Sequence, residues 1–184
     1  SRGLGMCRRD RHFMIQRKNS HQQPKINGKL KEKNVSELSI NLSWRRNESE
    51  LIPGKFSSEH DISYNDHFKV KADTAPDWGG SAENTNPEQA LAASLSSCHM
   101  MTFLALAAKI KWPVSSYEDH AIAHLGKNSK LQMIVNQIDL NPKVSLDDDF
   151  DVISEELEKM HDRAHRYCFI ANTLDSGVVV NINS

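Results

Sequence analysis

Asn86-Pro87-Glu88-Gln89-Ala90-Leu91-Ala92-Ala93-Ser94-Leu95-Ser96-Ser97-Cys98-His99-Met100-Met101 opens the longest apolar segment of the chain. Asn86 is a good N-cap, Pro87 a good first helical residue, and Glu88 suits the positive end of the helix dipole. The pattern runs to about Lys109 or Ile110, ahead of Pro113. Ala, Leu, Met and Phe cover it nearly all round, which predicts a long helix buried at the centre of a core. Helical spacing places Cys98 among Leu91, Ser94, Leu95, Met101, Thr102 and Ala105. A thiol so surrounded is an inert small hydrophobe with a raised pKa unless a cation reaches it.

Short strands flank this helix. Residues 36–46 alternate, with Leu38, Ile40, Leu42 and Trp44 on one face, as a half-buried strand requires. Two further strands are expected at 55–64 and 67–73, and the Pro76–Thr85 stretch reads as a loop. Beyond the helix, 117–125 and 131–144 alternate. Asp147-Asp148-Asp149 then breaks the chain ahead of a second helix at 150–166, with Phe150, Ile153, Leu157, Met160 and Ala164 at helical spacing. Val178 to Ile182 reads as a buried strand. The order βββ-α-ββ-α-β predicts an α+β fold with two sheets wrapped around a long central helix.

Charge divides the 184 residues unevenly. Residues 1–34 carry ten Lys and Arg against Asp10 and Glu32, which leaves 13 basic and 22 acidic residues in 35–184. Residues 1–34 therefore read as a basic, disordered, solvated extension, with a targeting peptide or a basic arm as the alternatives. Residues 35–184 read as one domain. Its net negative charge excludes nucleic acid as a partner, because a polyanion is repelled. No membrane span, secretory leader or membrane partner is expected. Three cysteines without a leader suit a reducing, cytoplasmic compartment, where a disulfide is transient and catalytic. Cys7 is assigned no role.

Cys168 ends the second helix within Ala164-His165-Arg166-Tyr167-Cys168-Phe169-Ile170-Ala171-Asn172. Two thiols so framed can form a redox pair, provided their Cα atoms come within about 7 Å. Few activators are available. Alternation turns Trp44 and Arg46 to one face, toward the core, where an arginine needs a carboxylate such as Glu88. Solvated strand-end charges are the bland reading of Arg45 and Arg46. His161, His165 and Cys168, with Cys98-His99, also form a sterically sound zinc half-site. In a chain with nine histidines, helix-surface or capping roles are the commoner outcome, and no metal is expected.

Asn86-Pro87-Glu88-Gln89, Leu95-Ser96-Ser97-Cys98-His99-Met100 and Ala164 to Asn172 together resemble the OsmC/Ohr family of organic hydroperoxide reductases. The branch with a Ser-Ser-Cys-His-Met helix is nearest, and the likeness covers about 36–182. It implies an intertwined homodimer with two buried sites near the interface. It also implies a cofactor-free, antioxidant thiol peroxidase of the stress response, reset by a dithiol reductant. Carried over by position, Cys98 is the peroxidatic cysteine and forms a sulfenic acid. Cys168 resolves it as a Cys98–Cys168 disulfide. Glu88 holds the activating arginine, for which Arg46 fits best and Arg45 second. An apolar pocket of Leu91, Met101 and Phe103 then favours fatty or aryl hydroperoxides. One departure is visible: Phe56-Ser57-Ser58-Glu59-His60 has Glu59 where the branch commonly shows arginine. Either activity is weak or Arg45 and Arg46 substitute. The second reading is a zinc-binding or non-enzymatic stress-related module on the same fold.

Overall fold

A computed structural model of the protein describes residues 37–184; the basic extension and Cys7 lie outside them. The chain runs β1 (Asn41–Ser43), β2 (His60–Asn65), β3 (Phe68–Ala72), α1 (Pro87–Lys109), β4 (Val114–Asp119), β5 (Ile122–Lys127), β6 (Met133–Leu140), β7 (Pro142–Leu146), α2 (Ser154–Tyr167) and β8 (Val179–Ile182). The class is α+β, built on one long helix and three small sheets: β1-β2-β3, β4-β7 and β5-β6-β8. All pairings are antiparallel except β6 with β8, which is parallel, with Ile138 opposite Val180.

The N-terminus of α1 forms as its residues dictate. Asn86 Oδ1 accepts from the Gln89 N–H at 2.8 Å, while Gln89 Oε1 accepts from the Asn86 N–H at 3.3 Å. This reciprocal capping box satisfies two of the donors a helix start leaves free, and Pro87 has none to lose.

Full burial of α1 is not achieved by the described residues. Ala92, Leu95, His99, Phe103 and Leu106 form a buried stripe at helical spacing, whereas Ala93, Ser97, Met101, Leu104 and Ala105 are exposed. The sheets and α2 cover one side only, and the apolar residues opposite are left uncovered. By length and composition α1 could also cross a membrane, its best window having a mean hydropathy of 1.5. Its inner stripe is instead packed in protein. Leu95 and Ala92 join Ile138, Leu140 and Cys168 in one cluster, and Phe103, Leu106 and Ala107 join Met160 and Ala164 in a second.

Each of the two strands expected after α1 is a pair. The chain bends between β4 and β5 and again between β6 and β7, so that one long hairpin serves two sheets. Side chains fix the bend: Asp119 Oδ1 accepts from the Asn141 N–H at 2.7 Å, and Asn141 Nδ2 donates to the His120 carbonyl at 2.7 Å. Ser96 Oγ of α1 donates to the other Asp119 oxygen at 2.5 Å, which ties the bend to the helix.

Three further expectations are corrected. β1 is only three residues long and exposed throughout, because it pairs with β2 along one edge and nothing described covers its face. The second helix begins at Ser154 rather than 150, leaving Phe150 in the acidic loop and Ile153 extended at the helix start. β8 is half-buried rather than buried.

Candidate functional site

α1 and α2 pack together and bring Cys98 and Cys168 face to face. Cys168 is fully buried in the cluster around Leu95, and Cys98 is half-buried at its edge. Both are free thiols, close enough for each to shift the other's acidity. The Cys168 sulfur also accepts from the Ala171 N–H at 3.4 Å, in the turn that ends α2.

The two acidities are driven apart. Burial pushes the Cys98 thiol up, but the facing Cys168 thiol, the Ile170 and Phe169 N–H groups and the Thr102 hydroxyl favour the thiolate and outweigh it. Its pKa lies below the usual thiol value. Burial and the Cys98 sulfur push Cys168 up to about 11. The opposed shifts leave Cys98 the more acidic and more accessible thiol, and keep Cys168 protonated at neutral pH.

An open cleft of about 560 Å³ gives access to Cys98. Met101, Tyr167 and Phe169 form apolar walls, and Lys109 and Arg163 add two cations. Neither cation forms an ion pair among the described residues. Sequence reasoning passed over both. Lys109 is eleven residues from Cys98, on the same face of α1, so helical spacing alone reaches it. Arg163 reaches the cleft only through the packing of α2.

The remaining candidates are dispersed. Leu91 is half-buried and packs with Cys98 against the cluster around Leu95. Met101 lines the cleft, while Phe103 lies on another face of α1, fully buried and stacked on His161 at 4.5 Å. Arg46 is exposed beyond the end of β1. The inward turn expected from alternation is not made within the chain, because the strand has already ended at Ser43. Glu88 lies nearly three turns before Cys98, in a separate cleft, and its Oε2 is buried without a partner among the described residues. Arg45 sits in a small polar cleft beside Glu59 and Asp61. Glu59 itself is held by Lys71 Nζ at 2.5 Å and Asn84 Nδ2 at 3.0 Å.

The zinc half-site does not assemble. His161 Nδ1 is engaged by His99 Nε2 at 3.0 Å. No group of three or more His, Cys, Asp or Glu residues converges on a metal position among the described residues.

A facing pair of free thiols between a long helix and small sheets defines a class of α+β thiol proteins. Residues 80–183 match the family model described as OsmC-like protein, and the chain belongs to that family. An OsmC-like protein of unknown function from Vibrio cholerae is similar at 38% identity and a TM-score of 0.73, over 80% of this chain and 99% of that one. An organic hydroperoxide resistance protein from Elizabethkingia anophelis shares the fold at 16% identity and a TM-score of 0.62, over 82% and 96%. So does the organic hydroperoxide resistance protein OhrB of Bacillus subtilis, at 17% and 0.58, over 82% and 97%. Comparison with curated proteins gives no significant match.

Proposed function

We propose that this protein is a thiol-dependent peroxidase that reduces organic hydroperoxides to alcohols. The observation that carries the reading is the Cys98–Cys168 pair itself, facing one another with acidities shifted in opposite directions at an open apolar cleft. The organic hydroperoxide resistance proteins that share its fold support the substrate class.

Cys98 thiolate attacks the distal oxygen of the hydroperoxide, the O–O bond breaks, and the departing alkoxide takes a proton from water. Cys98 is then a sulfenic acid. The Cys168 sulfur attacks it, forming the S–S bond as the S–O bond breaks, and the Cys168 proton leaves with hydroxide as water. An external dithiol exchanges with the disulfide, is itself oxidised, and restores both thiols. Such a cycle suits the cytoplasm, where thiols are kept reduced.

A homodimer completes this reading. The uncovered apolar side of α1, with Met101 58% exposed, and the exposed β1 are surfaces a second copy would cover. Glu88 has an unpartnered buried oxygen, and Arg46 has no ion pair among the described residues. A pair between Glu88 of one copy and Arg46 of the other, brought across the interface to a Cys98, would supply the activating charge.

The test is mass spectrometry after one equivalent of cumene hydroperoxide. A loss of two hydrogens mapped to Cys98–Cys168 supports the cycle. An unchanged mass overturns it in favour of a non-enzymatic module.

A further inference from the structure

The most unusual polar feature of the interior plays no part in that cycle. His99 and His161 are fully buried, at 0% and 1% exposure, where α1 meets α2. Their rings lie nearly parallel, 8° apart, with centroids 5.3 Å apart and His99 Nε2 3.0 Å from His161 Nδ1. One ring donates and the other accepts, so the bond exists only when at least one ring is neutral. His99 Nδ1, His161 Nε2, His165 Nδ1 and the Tyr117 hydroxyl are all buried without a hydrogen-bond partner among the described residues. Apolar side chains of similar size would fill the same space without that penalty. A polar pair kept at such a place points to a requirement for one particular alignment of the two helices.

The thiols have that requirement. His99 is the next residue after Cys98. His161 lies two turns before Cys168, and the Cys168 N–H donates to the His165 carbonyl at 3.1 Å. Apolar packing between helices tolerates small rotations and slips, whereas a hydrogen bond between two planar rings allows one register. A rotation of α1 by one residue turns Cys98 by about 100° and carries it away from Cys168.

We infer that the His99–His161 hydrogen bond is a positioning device, which fixes the register of α1 against α2 and so holds Cys98 against Cys168. This rests on the reading of the two cysteines as a redox pair. Neither ring is a catalytic residue. Each acts through the helix that carries a thiol. The titratable groups that face the pair are Asp162 and His165 on α2, and Tyr117 and Asp119 on β4.

Two kinds of variant in the full chain separate positioning from packing. His99→Leu and His161→Leu remove the bond and keep an apolar fill. His99→Gln places an amide near the Nε2 position, and His161→Asn places one near Nδ1, so each restores a partner. Two readouts need no hydroperoxide: the Cys98 pKa from the pH dependence of alkylation, and the Cys98–Cys168 disulfide equilibrium against dithiothreitol. The leucine variants are expected to raise the Cys98 pKa and weaken the disulfide at least tenfold. The amide variants should recover to within about threefold of the parent. Equal shifts in leucine and amide variants, or lowered unfolding stability with both readouts unmoved, would overturn the inference. Should His99→Leu fail to fold, His161→Leu against His161→Asn decides in the same way. A parent protein that equilibrates with dithiothreitol but ignores hydroperoxide sinks the peroxidase reading and leaves this one standing.

Discussion

Cys98 and Cys168 share one contact and leave it with opposite acidities: the half-buried thiol is driven below its usual pKa and the buried one up to about 11. The split arises because the N–H groups of Phe169 and Ile170 are directed at Cys98, while burial dominates at Cys168. In the proposed cycle, the order of events follows from that asymmetry.

Alkylation by iodoacetamide at neutral pH should therefore label Cys98 well before Cys168, read by peptide mass. Cys98→Ser should abolish hydroperoxide consumption. Cys168→Ser should allow a single turnover and then accumulate sulfinic acid at Cys98, a gain of two oxygens, because nothing traps the sulfenic acid. Sustained turnover by Cys98→Ser would remove the peroxidatic assignment.

The source of positive charge is tested by three variants. Arg46→Ala should raise the Cys98 pKa and slow its oxidation by one to several orders of magnitude, each unit corresponding to about 1.4 kcal/mol. Arg46→Lys should rescue poorly, since a point charge cannot match a carboxylate and a peroxide in one plane. Arg163→Ala is the competing experiment, because Arg163 lines the Cys98 cleft within the same chain. A shift on removing Arg163 and none on removing Arg46 transfers the activating role to α2.

Acid should weaken the fold through the histidine pair. Burial, and then the neighbouring His161 and His165, depress His99 to about 4. Burial depresses His161 to about 4 against the opposing pull of Asp119 and Asp162. Below pH 6.5 the unfolded chain binds protons that the folded chain refuses, so stability falls as pH drops from about 6.5 toward 4 and levels off beneath. For one histidine the full loss is about 3 kcal/mol. Urea unfolding at pH 7, 5.5 and 4 measures it, and the slope should flatten in His161→Leu.

Leu95→Ala should cost about 2–5 kcal/mol, since Leu95 is fully buried against Ile138 and Leu140 beside Cys168. Met101→Ala, on the exposed side of α1, should cost little within the chain and should weaken self-association instead. Sedimentation at micromolar concentration reads the second effect; a stable monomer in the parent protein contradicts the dimer.

Local physics was legible along the chain. Asn86, Pro87 and Glu88 announced the start of α1, the apolar run ending ahead of Pro113 gave its length, and alternation or a short apolar run marked the strand regions. Spacing also put Met101 and Thr102 on the Cys98 face of the helix. What sequence left open depends on which residues meet across distance. The bend that divides one hairpin between two sheets depends on Asp119 reaching Asn141, 22 residues away. Phe103 lies away from the cleft because α2 presents His161 and Met160 to that side of α1. The contacts of Cys98 with Cys168 and of His99 with His161 join residues about 60 to 70 positions apart. No local preference encodes such separations; the packing of α1 on α2 decides them.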